Sequence, residues 1–152
     1  MTLNDFTKQT LEFPDDYEGK VIAIFIRSNK NIKGRKSVLY IHGFNDYFFH
    51  PHVAENFHQQ NYNFFALDLR KYGRSLLPHQ HPNYCKDISE YYEEITESLQ
   101  IISKENGNDI NCSLPSSFKY TGLICIFGFD FLSEFKSLNV GSFNLDTVFP
   151  SS

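Results

Sequence analysis

Two short stretches of this chain carry residue types that can do chemistry together. The first is His42-Gly43-Phe44-Asn45, which follows the apolar run Val38-Leu39-Tyr40-Ile41. A glycine there lets backbone come close to a substrate, and the N–H after it can point at a developing oxyanion. By itself the dipeptide reads more readily as a tight turn without chemistry. The second stretch is Leu67-Asp68-Leu69-Arg70-Lys71-Tyr72-Gly73-Arg74-Ser75, again just after an apolar run. Ser75, Cys85 and Cys112 are candidate nucleophiles by type, but none has a recognisable base and orienting acid beside it in sequence. Ser75 reads as a loop hydroxyl that binds backbone.

All six histidines lie between positions 42 and 81. His50-x-His52 and His79-x-His81 could offer imidazoles to zinc. Pro51, Pro78 and Pro82 interrupt both pairs, and no cysteine or acid stands at a metal-ligand spacing. They read as surface-loop histidines, and no metal is expected. Cys85, Cys112 and Cys125 are odd in number and show no paired spacing, as free thiols of a reducing, cytoplasmic setting do.

Elements of an α/β fold position these stretches. Residues 20–28 are β-branched and aromatic and read as a strand, and the polar stretch 29–36 as a turn. Residues 37–41 form a second strand, buried on both faces as in a parallel sheet. Pro51 opens a short helix ending near Asn61, and residues 62–69 return as a strand. After a loop, Asp87 or Ser89 caps a helix whose Ile88, Tyr91, Tyr92, Ile95, Leu99 and Ile102 share one face. Glu90, Glu93, Glu94 and Glu97 fall mostly on the other face, and Gly107 ends it. Alternating strands and helices predict a mostly parallel sheet with flanking helices.

Taken jointly, Val38-Leu39-Tyr40-Ile41-His42-Gly43-Phe44 and Ala66-Leu67-Asp68-Leu69-Arg70-Lys71-Tyr72-Gly73-Arg74-Ser75 resemble the α/β-hydrolase superfamily. The likeness covers residues 38–102 and is to its serine aminopeptidase, monoacylglycerol-lipase and lysophospholipase branch. In that branch a strand ending in His-Gly, a helix, and a strand leading to Asp-x-Arg-x-x-Gly-x-Ser follow in this order. The resemblance implies serine hydrolysis of esters, acylglycerols or peptide-like amides, without a cofactor. It implies that the Phe44 N–H is an oxyanion-hole donor, with Gly43 permitting the turn and His42 bracing the loop. Asp68, Arg70, Gly73 and Ser75 would shape the neighbouring loop and take no part in catalysis. Tyr47, Phe48 and Phe49 either line an apolar pocket or bury against the sheet.

The chain then departs from that pattern. A hydrolase of this kind needs Gly-x-Ser-x-Gly at the next strand, then an acid and a histidine. Here residues 111–118 read Asn-Cys-Ser-Leu-Pro-Ser-Ser-Phe, no Gly-x-Ser-x-Gly occurs anywhere, and no histidine follows His81. Composition changes at the same point. After position 110 only Lys119, Asp130, Glu134, Lys136 and Asp146 are charged, while phenylalanine and serine are frequent. The chain therefore divides into residues 1–110, the amino-terminal half of a hydrolase domain, and 111–152, an unrelated or frameshifted tail. Such a chain is an incomplete α/β-hydrolase fold, truncated before the nucleophile and catalytically inactive. The tail segment 120–127 is apolar enough to pair as a substitute strand. The alternatives are a non-catalytic binding module and a His-rich metal-binding protein.

Length and charge bound the rest. The 152 residues make one domain, and 41% hydrophobic composition is enough for a packed core. A net charge of −4 repels phosphate backbones, so nucleic acid is not an expected partner. No apolar run reaches the length of a membrane span, and the first residues lack the pattern of a signal peptide.

Overall fold

The computed structural model of the chain describes residues 1–106 in full and the backbone of residues 112–113 and 123–127. A short 3-10 turn at Leu3–Asp5 leads into strand β1 (Phe6–Asp16), which a tight turn joins to β2 (Gly19–Ser28). Strand β3 (Ser37–Ile41), helix α1 (Pro51–Gln59) and strand β4 (Asn63–Asp68) follow. A 3-10 turn at Ile88–Tyr91 runs into helix α2 (Tyr92–Asn106). Asp87 caps that turn, its carboxylate accepting the Ser89 N–H at 2.8 Å. Strands β5 (Cys112–Ser113) and β6 (Leu123–Phe127) complete the described elements.

The strands form one sheet in the order β1-β2-β4-β3-β6-β5. Among the described strands only β3 and β4 are parallel, with Leu39 opposite Phe65. β1–β2, β2–β4, β3–β6 and β5–β6 are all antiparallel. The expectation of a mostly parallel sheet is therefore wrong. Its physical reason lies in the connections. The stretch from Ser28 to Ser37 is shorter than the dozen or more residues a parallel crossover needs, so β3 has to run opposite to β2. Helix α1 supplies the one true crossover, and β4 inserts between β2 and β3. Of the tail, residues 112–113 and 123–127 are described and the rest, 120–122 included, lies outside the described residues; Leu123–Phe127 pairs along the free side of β3.

One helix and one apolar cluster lie on each face. Leu39, Ile41, Phe65, Leu67, Tyr91, Ile95, Leu99 and Ile102 pack together beneath α2. Val38, Tyr40, Phe48, Ala54, Phe57 and Phe64 pack beneath α1. Both faces of β3 and β4 are thus covered, which is why their sequences are continuous apolar runs without alternation. Two positions in α2 depart from the helical pattern read in sequence. Ile88 is exposed, because it belongs to the 3-10 turn, and Glu94 is buried. Among the described residues no helix is long and apolar enough to cross a membrane.

Candidate functional site

The two stretches singled out by sequence meet at the carboxyl ends of β3 and β4, the parallel pair of this sheet. His42, the first residue after β3, is buried. The Leu69 N–H donates to its Nε2 at 3.0 Å. A neutral ring accepting at Nε2 carries its proton on Nδ1, and Nδ1 lies 2.8 Å from the Gly43 carbonyl. His42 is therefore a neutral two-ended bracket, donating to its own loop and accepting from the next. Burial, the largest influence on it, holds its pKa below the ordinary 6.5, which fits that role. The Tyr72 ring packs against it with centroids 4.7 Å apart.

The loop after β3 has two unlike halves. Its second half is anchored by Phe48, whose side chain packs edge-on to Phe6 and Tyr40. The Phe48 N–H donates to Asp68 Oδ1 at 3.1 Å, and Arg74 donates to the Phe48 carbonyl. The first half is open. Phe44 has 80% of its surface exposed and touches Tyr72 edge-on. The backbone N–H groups of Gly43, Phe44, Asn45 and Asp46 donate no hydrogen bond among the described residues. Asn45 takes the left-handed conformation, φ 57°, so the chain reverses directly after Phe44. Of the three aromatics expected to act together, Phe48 is core, while Tyr47 and Phe49 are exposed and pack on each other at 5.3 Å.

The loop after β4 has few polar groups to spare. Asp68 is fully buried and held by Arg74, whose Nε lies 2.6 Å from Oδ2 and Nη2 3.2 Å from Oδ1. With Phe48 on the same carboxylate, Asp68 accepts three hydrogen bonds and is fully buried, which commits it to the protein. Ser75 donates to the Asp68 carbonyl at 2.6 Å and accepts the Ile24 N–H at 2.9 Å. That hydroxyl is buried and committed to backbone. Arg70 reaches Glu94 through Nε and Nη2, with a further bond to Glu93. Burial works against the charge on Arg70, and the two carboxylates more than restore it. Gly73 has φ 44°, and a Cβ there would meet Tyr47 Cβ at 2.5 Å. Only glycine fits. These four residues frame the loop and do not face an open site.

Three further groups were not legible as partners in sequence. Arg74 closes on Asp68, and Glu94 on Arg70, from positions that a residue list could equally place in solvent. Lys71 is buried with φ 64° and pairs with Asp16 and Glu18, each at 2.7 Å. Its ammonium sits 4.2 Å from the Tyr17 ring. Lys71 and then His81 pull Glu18 down to about 2. A serine–histidine contact exists at the other end of the sheet, where Ser28 donates to His58 Nε2 at 2.7 Å and His58 Nδ1 donates to the Tyr62 carbonyl at 3.0 Å. Ser28 is only 3% exposed and also accepts the Lys30 N–H, so the contact ties α1 to β2.

No three His, Cys, Asp or Glu side chains converge to hold a metal ion among the described residues. His50 and His52 stand near each other with ring centroids 5.4 Å apart, and His50 stacks on Phe49. His81 is taken by Glu18. Compared with protein-family models, with curated proteins and with solved structures, the chain finds no match.

Proposed function

We propose that residues 38–102 are the oxyanion-loop half of a serine-hydrolase-type site for carboxylic esters, acylglycerols or peptide-like amides, and that the chain lacks the nucleophile to use it. One observation carries the reading: His42 ties the start of this loop to the loop after β4, and the Phe44 N–H donates no hydrogen bond among the described residues. In α/β-hydrolases one oxyanion donor comes from the loop between the third strand and the first helix. Here that loop joins β3 to α1, and Phe44 stands at its open end. A donor aimed where charge develops is worth about 3 kcal/mol of transition-state stabilisation. It does so only beside a nucleophile, and neither Gly-x-Ser-x-Gly nor a histidine beyond His81 occurs in this sequence. The strand that pairs with β3 on its free side, β6, runs antiparallel to it, so its carboxyl end points away from the loop.

Two tests bear on this reading. Incubated with p-nitrophenyl butyrate, the purified chain should show no turnover above buffer. Turnover lost in Ser75→Ala or Cys85→Ala would overturn the silent-site reading. Kinship is tested separately by reading the coding strand beyond codon 110 in all frames. A frame encoding Gly-x-Ser-x-Gly shortly downstream supports it, and its absence from every frame contradicts it.

The second reading is a binding module. Phe44, Tyr47 and Phe49 are large exposed aromatics on the same loop as the N–H groups that have no partner among the described residues, a combination suited to a small apolar carboxylate or amide.

A further inference from the structure

Among the described residues strand β1 is an edge of the sheet, bonded to β2 alone. Eleven residues make it long for an edge strand, and Thr7 through Thr10 are exposed along it. Long uncovered edges are templates for a further strand. The outward-facing groups of β1 can be read from its register. The Asn29 N–H donates to the Asp5 carbonyl at 2.9 Å, which continues the pairing of Phe6 with Ser28. Bonded and non-bonded pairs alternate along an antiparallel ladder. The odd-numbered residues therefore bond to β2, and Phe6, Lys8, Thr10 and Glu12 present N–H and C=O outward.

Among the symmetric arrangements of these groups, one sets Lys8 against Glu12. A two-fold axis between strands pairs residues of the same parity, so a symmetric pair centres on one residue. Centred on Lys8 or on Glu12, the pairing brings like charges together. Centred on Thr10, it puts Lys8 opposite Glu12 of the second strand, twice. Lys8 has no ion-pair partner among the described residues. Glu12 already pairs with Lys20 on β2 at 2.8 Å, so the second copy's Lys8 would extend an alternating row of charges. Thr10, Lys8 and Glu12 would each exchange both backbone bonds. Pro14 has no N–H, and its carbonyl can still accept from Phe6. It stops the ladder there, just ahead of the register shift between Phe13 and Asp16.

We propose that this chain dimerises by antiparallel pairing of β1 with β1 of a second copy, centred on Thr10. The dimer is closed: one edge is consumed on each copy, and Pro14 and the hairpin turn block extension in either direction. This proposal does not depend on the oxyanion-loop reading.

Sedimentation equilibrium of the full chain should show twice the monomer mass. Monomer alone at concentrations up to about 1 mM, the weak end of specific association, would overturn the proposal; so would open-ended growth beyond the dimer. Thr10→Pro removes only an outward N–H and leaves the β2 ladder intact. It should give a folded monomer by circular dichroism, and unchanged dimerisation overturns the proposal. Lys8→Glu and Glu12→Lys each replace attraction by repulsion at two pairs and should weaken the dimer on the order of tenfold. The double variant Lys8→Glu/Glu12→Lys should restore it. Failure to restore overturns the Thr10-centred register.

Discussion

Two loops at the same end of the sheet are built in opposite ways. In the loop after β4, Asp68, Arg70, Lys71 and Ser75 are all buried, and each is committed to protein partners. In the loop after β3, the N–H groups of the first half donate no hydrogen bond among the described residues, and its Phe44 side chain is exposed. The difference shows a division of labour. A rigid, self-satisfied loop holds the reference frame, and one histidine transfers that rigidity to an open neighbour. Substitutions in the loop after β4 should therefore cost more stability than those in the open half of the loop after β3.

Breaking the frame should cost most. Arg70→Ala leaves the Glu94 carboxylate buried without its partner and should destabilise by about 4 kcal/mol in urea denaturation. Gly73→Ala forces a methyl into Tyr47 at a left-handed backbone position, for a loss of about 3 kcal/mol. His42→Ala orphans the Leu69 N–H and frees the Gly43 carbonyl, with a loss of about 2 kcal/mol. Phe44→Ser, on the open side, should stay within about 0.5 kcal/mol of the parent. A large loss for Phe44→Ser, or none for Arg70→Ala, would erase the distinction between the loops.

Acid should dismantle the two anchors in sequence. His42 and His58 are both held below their ordinary pKa of 6.5, chiefly by burial. The unfolded chain then binds protons before the folded one does. Stability from this source is complete above about pH 6.5 and falls as pH drops below it. Glu18, held at about 2 by Lys71 and His81, contributes stability that is present above its ordinary 4.5 and lost as pH falls from there toward 2. Urea midpoints measured from pH 8 to pH 3 should therefore decline in two stages. Glu18→Gln should flatten the lower one.

The buried strands and both helices were legible because their signals are local: continuous apolar runs at 37–41 and 63–68, and a proline opening α1. Direction was not legible from element order, because alternation of strands with helices predicts a parallel sheet. The short link from Ser28 to Ser37 held the contrary information, since it cannot span a crossover. Strand β1 escaped notice because an edge exposed on both faces shows no alternation, only Leu11 and Phe6 being buried in it. The two motifs lie in neighbouring loops, joined by the Leu69 N–H bond to His42. Glu94 was read as a solvent-facing residue of an acidic run, and only Arg70 arriving from another element makes its burial possible.

The proposed oxyanion donor is the Phe44 N–H, which donates no hydrogen bond among the described residues while the adjoining frame is occupied. Titration of the uniformly nitrogen-15-labelled chain with butyrate, followed by amide chemical shifts, tests this most directly. The account predicts saturable shifts at Gly43, Phe44 and Asn45, with Leu69 and Phe48 unmoved. Shifts spread evenly over the surface, or none at Phe44, would contradict it.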